Sequence, residues 1–74
     1  MNDKIGYVYP DIEHYRGIRE EEGYSQRDMA EEMGISRQVY SRRERKISRF
    51  TLTEAYFLAR LFDKSIEELF FPNQ

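Results

Sequence analysis

Arg37, Gln38, Ser41 and Arg42 have the side-chain types and the spacing for recognition chemistry. They fall at i, i+1, i+4 and i+5, so a helix through them sets all four along one stripe. A guanidinium carries a fixed fork of donors and no acceptor, an amide carries both, and a hydroxyl serves as either. Such a stripe, long-armed and cationic, suits an anionic surface rich in acceptors. Tyr40, with Val39 beside it, supplies the opposite, apolar side of the same helix.

The charge around this stripe is unevenly spread. The chain has 12 Lys and Arg against 14 Asp and Glu, yet residues 36 to 50 hold six basic side chains and one acidic, Glu44, for a net +5. The remaining six basic and thirteen acidic residues sum to −7. A chain divided in this way can turn one positive face to a polyanion while its other faces repel one.

The elements that must position the stripe are short. Seventy-four residues make one small domain, and the absence of cysteine leaves neither a disulfide framework nor a thiolate metal site to staple it. The 39% apolar share is enough for a small helical core. Gly, Ser and Thr punctuate the chain, and between them apolar residues recur at helical spacing, which predicts an all-α fold of five helices.

Helix 1 is expected to start at Asp11, present Ile12, Tyr15 and Ile18 inward, and end at Gly23. Ser25 with Asp28 caps helix 2, whose stripe is Met29, Ala30 and Met33; Gly34 ends it, and a turn of about three residues leads to Ser36 at the start of helix 3. Helix 3 is read as about 36–45. Thr51 with Glu54 opens helix 4, expected to bury Leu52, Ala55, Leu58, Ala59, Leu61 and Phe62, and Ser65 with Glu68 opens helix 5 with Ile66, Leu69 and Phe70. Residues 1–9 read as an N-terminal arm, 10–71 as the folded domain and 72–74 as a tail.

Several function classes find little support. The first residues carry charges and a proline, unlike a signal peptide or a membrane span, so a cytoplasmic protein with no membrane contact is expected. His14 is the one histidine, no glycine-rich phosphate loop occurs, and the acidic runs Glu20-Glu21-Glu22 and Glu31-Glu32 read as solvated faces. An enzyme is therefore not expected, nor a metal, cofactor or small-molecule ligand. His14 reads as a surface residue.

Ser25-Gln26, Ala30, Gly34-Ile35-Ser36-Arg37-Gln38 and Ser41-Arg42-Arg43-Glu44, followed by Phe50-Thr51-Leu52 and Ser65-Ile66-Glu67-Glu68-Leu69-Phe70, resemble the helix-turn-helix domain of phage Cro and CI repressors. The resemblance covers about residues 10–71. It implies a five-helix, lambda-repressor-like fold in which helix 3 is the recognition helix, and a Cro/CI-like repressor of a phage or mobile element as the function. It further implies that Arg37, Gln38, Ser41 and Arg42 face base edges, that Gln26 binds a backbone phosphate, and that Arg19 pairs with Glu44.

The chemistry of these side chains suits that role. Arginine donates bidentately to guanine O6 and N7, and glutamine both donates and accepts at adenine N6 and N7. Because the first residues of a recognition helix approach bases most closely, Arg37 and Gln38 come first and Arg42 third. Ser36, Arg45, Lys46 and Arg49 are assigned to the DNA backbone, which positions the protein without reading sequence. So short a helix touches few base pairs, so a homodimer on double-stranded DNA with an imperfect palindromic operator is expected. The dimer surface is expected either at helix 5 with an exposed Phe70-Phe71 end or at the arm Lys4–Tyr9.

Two positions depart from the resemblance. Arg43 stands where an apolar residue is common; its stem could cover core while its guanidinium reaches solvent or phosphate. Lys46 stands where a glycine commonly ends helix 3, and since a left-handed lysine costs about 1 kcal/mol, the expectation is that the helix runs on a turn. The alternative function is a protein-binding module on the same fold, such as an antitoxin or antirepressor, whose −7 remainder would suit a basic partner.

Overall fold

The structure is a computed structural model that describes residues 10–46 and 50–72. Among the described residues the elements are α1 (Ile12–Glu21), α2 (Gln26–Met33), α3 (Arg37–Arg45), α4 (Leu52–Phe62) and α5 (Ile66–Phe70), with no strand. The all-helical class and the five-helix order match the periodicity of the sequence.

Each helix begins where a short polar side chain can satisfy amides that have no helical partner. Asp11 accepts from the His14 amide at 3.0 Å, and Ser36 from the Val39 amide at 3.1 Å. Ser25–Asp28, Thr51–Glu54 and Ser65–Glu68 form reciprocal capping boxes. The break between α2 and α3 rests on Gly34, whose φ of +69° lies in the left-handed region that a residue without Cβ enters freely. Ile35 then donates its amide to the Ala30 carbonyl at 3.0 Å, folding the turn back on α2.

The core is aromatic at its centre. Tyr15 stacks on Phe70 with ring centroids 5.2 Å apart and meets Phe50 and Phe62 edge-on. Met29, Ala30, Tyr40, Leu58, Ala59 and Leu69 complete the buried set with Ile18. Two polar contacts fasten α1 to α5: the Asp11 amide donates to the Phe70 carbonyl at 2.7 Å, and a His14 ring N–H donates to the Glu68 carbonyl at 2.9 Å. His14 is thus half-buried and tied across the fold, not a free surface residue. The sequence offers no signal for this, since the partner is a backbone carbonyl 54 residues away.

Three further expectations need correction. Leu52 is 80% exposed: as the first residue of α4 it lies more than a turn before the buried Leu58 and Ala59. Lys46 takes neither a left-handed conformation nor a helical one; α3 stops at Arg45, and Lys46 is extended at φ −144° and ψ 102°. Phe70 is buried and only Phe71 is partly open, packed against the core edge, so the pair does not form an exposed aromatic end. Arg49 and the arm Lys4–Tyr9 lie outside the described residues.

Candidate nucleic-acid interface

The α2–turn–α3 unit presents one polar surface. Arg37, Gln38, Arg42, Arg45 and Lys46 are exposed, Ser41 is half-buried, and Ser36 caps the helix at the open end. Gln26, Arg37, Gln38, Ser41, Arg42 and Arg45 together line an open cleft of about 360 Å³. The helical spacing of the sequence brings these side chains to one face, and Gln26 joins them because the tight turn sets the start of α2 beside α3.

Behind this face lies a polar cluster centred on one carboxylate. Glu44 is fully buried, with no solvent exposure. Its Oε2 accepts from Arg19 Nε at 2.7 Å and from the Tyr40 hydroxyl at 2.6 Å. Its Oε1 accepts from Arg19 Nη2 at 3.1 Å, Gln26 Nε2 at 2.9 Å and Arg16 Nε at 3.3 Å. The Tyr40 proton is committed to the carboxylate, which can only accept, so the Tyr15 hydroxyl 2.7 Å away donates to Tyr40.

A buried charge of this kind is stable only when every lone pair is answered. Burial by itself would push the Glu44 carboxyl up, yet hydrogen bonds from Tyr40, Arg19 and Gln26 prevail and hold it below the usual carboxylate range. Burial raises the Tyr15 and Tyr40 phenols above their ordinary value, so both stay protonated and able to donate. Arg19 also donates from Nη1 to the Tyr24 carbonyl at 2.6 Å, tying the loop before α2 to the same cluster. Three helices therefore hold a common polar centre, directly under the surface of α3.

Arg43 is resolved differently from either sequence option. Its Nε lies 2.9 Å from Glu54 Oε1, an ionic contact whose alignment falls short of a hydrogen bond. The same Glu54 oxygen accepts from the Thr51 amide in the α4 capping box. Arg43 thus links the last turn of α3 to the first turn of α4 while its side chain stays partly exposed. The spacing of 11 residues across a loop gave no local cue. The bonds of Gln26 and Arg16 to Glu44 and of Tyr15 to Tyr40 were also missed, though Tyr40 and Glu44 at i, i+4 were a readable pair.

Among the described residues, no three acidic or histidine side chains converge as metal ligands, and no helix is long and apolar enough to cross a membrane.

A family model described as helix-turn-helix matches residues 16–69, which spans all of α2, the turn and α3. The chain belongs to the Cro/CI-type helix-turn-helix family of DNA-binding regulators. No curated protein and no solved structure matches the chain. The family's members regulate through DNA and are not typically enzymes.

Proposed function

We propose that this helix-turn-helix protein is a sequence-specific transcriptional regulator, a Cro/CI-like repressor of a phage or mobile element, acting as a homodimer on an imperfect palindromic operator. The observation that carries the proposal is the cleft on α3. Three arginines and a glutamine stand exposed beside the first residue of α2, on a helix braced from behind by the buried Glu44 cluster. Rigid support matters because base reading requires donors held in register with base edges.

Within that reading Arg37, Gln38, Ser41 and Arg42 read bases in the major groove, while Gln26, Ser36, Arg45, Lys46 and Arg49 meet the backbone. Arg45 and Lys46 are exposed at the C-terminal end of α3, where their charge complements both phosphate and the helix dipole. Dimerisation draws support from an apolar groove lined by Pro10, Leu52, Ala55, Ile66 and Phe71, away from the arginine stripe. An exposed leucine at its rim is the kind of residue a partner copy would cover.

In vitro selection of bound double-stranded DNA tests the proposal. The expected product is a two-fold symmetric sequence with half-sites about 34 Å apart on one face of the duplex. Recovery of no enriched sequence at low salt would contradict it and favour a protein-binding role for the same fold.

A further inference from the structure

The Glu44 cluster meets the cleft on α3 through the amide of Gln26. A carboxylate can only accept, so the Gln26 amide must turn Nε2 toward Glu44 Oε1, where it sits at 2.9 Å. The flipped amide would lose that bond and set a carbonyl oxygen against a buried negative charge. One N–H of Gln26 is thus committed inward, and the second N–H and the Oε1 acceptor remain for the cleft shared with Arg37, Gln38, Ser41, Arg42 and Arg45.

We infer that Glu44 is a positioning residue for DNA contact, locking the Gln26 amide in one orientation so that α2 meets DNA with a preset donor and acceptor. The inference rests on the DNA-binding reading given above. The lock is itself well supported: Oε1 is held by Arg19 Nη2 and Arg16 Nε as well as by Gln26, and Oε2 by Tyr40 and Arg19 Nε. The carboxylate therefore cannot rotate to follow a moving glutamine. A free surface glutamine must be ordered when it binds, whereas Gln26 has met that entropic cost on folding.

The test has one arm without DNA and one with it. Side-chain 15N relaxation of Gln26 in the free full-length protein should give an order parameter near that of rigid backbone, about 0.85, and not the value below about 0.6 of a flexible group. In Glu44→Gln, if it folds, the Gln26 value should fall. On selected DNA, Gln26→Ala should weaken binding roughly three- to tenfold with an unchanged salt slope, because a neutral donor releases no counterion. In the Glu44→Gln background the same substitution should cost less. Should that variant not fold, the wild-type relaxation and the Gln26→Ala affinity decide the matter.

A mobile Gln26 amide in the free protein would overturn the lock even if DNA binding stands. A rigid amide with wild-type affinity in Gln26→Ala would make the contact structural only and overturn the positioning role. If the wild-type protein bound no DNA, the functional reading would fail together with the positioning role, and the relaxation data would still report separately on the contact with Glu44.

Discussion

The Tyr40 hydroxyl donates to Glu44 Oε2 across 2.6 Å, one helical turn along α3, and both residues are fully buried. The inner face of α3 therefore carries a polar pair among its buried residues. Its orientation is set by directional bonds to α1 and α2 as well as by packing.

Removing only the hydroxyl isolates that contribution. Tyr40→Phe leaves Glu44 short of a donor and the Tyr15 hydroxyl without its acceptor, at a cost of about 1–3 kcal/mol. Tyr15→Phe removes a donor to Tyr40 and leaves the carboxylate bond intact, so its cost should be smaller. Urea denaturation of the two variants checks the order, and a larger loss in Tyr15→Phe would contradict the relay as drawn.

Arg19 and Glu44 should behave as a coupled pair. Either residue alone, cut to alanine, strips the other buried charge of its main ionic partner and should cost about 3–5 kcal/mol. The double variant should lose less than the two losses combined, with coupling above about 0.5 kcal/mol in a double-mutant cycle. Additive losses would mean that the two charges stabilise the fold independently.

Acid should loosen the fold through the same carboxylate. The Glu44 pKa is lowered in the folded state, where burial is outweighed by Tyr40, Arg19 and Gln26. Its stabilisation is therefore complete above the unfolded value near 4.3 and disappears as pH falls through the lower folded value. Asp28 and Glu68 are held low by capping-box bonds and add to the same acid limb. Stability measured from pH 7 down to 2 should fall across that window, and Glu44→Gln should show a shallower slope from a lower start.

If the groove beside α4 and α5 is covered by a second copy, a charge at its rim should expose it. Leu52→Asp is expected to leave the helical content unchanged, since Leu52 is 80% exposed, and to shift the protein toward monomer in sedimentation. Operator affinity should fall with it, because one half-site alone binds weakly. An unchanged association state would remove this groove from the dimer reading.

Much of this was legible in the sequence, for a physical reason. Capping by Ser25, Ser36, Thr51 and Ser65 is a contact across three residues, so it can be read from spacing alone. The same holds for the stripe of Arg37, Gln38, Ser41 and Arg42. What escaped depends on how elements pack across loops. Arg43 meets Glu54 across a loop, and Leu52 is exposed although its spacing matches the apolar stripe of α4. Gln26 could be assigned to the DNA side by resemblance, but its bond to Glu44 follows from the angle between α2 and α3.

The most direct test of the central claim is the affinity for selected operator DNA and for scrambled DNA between 50 and 200 mM salt, for wild-type, Arg37→Ala and Arg45→Ala. Wild-type binding should prefer the operator and weaken steeply with salt, by a slope of roughly −0.9 per phosphate neutralised. Arg37→Ala should lose about 1–3 kcal/mol on the operator and relax the preference at one base pair. Arg45→Ala should weaken both DNAs alike and lower the slope by about one. Equal, salt-insensitive affinity for both DNAs, or the same profile in both variants, would contradict the assignment of α3 as a base-reading helix.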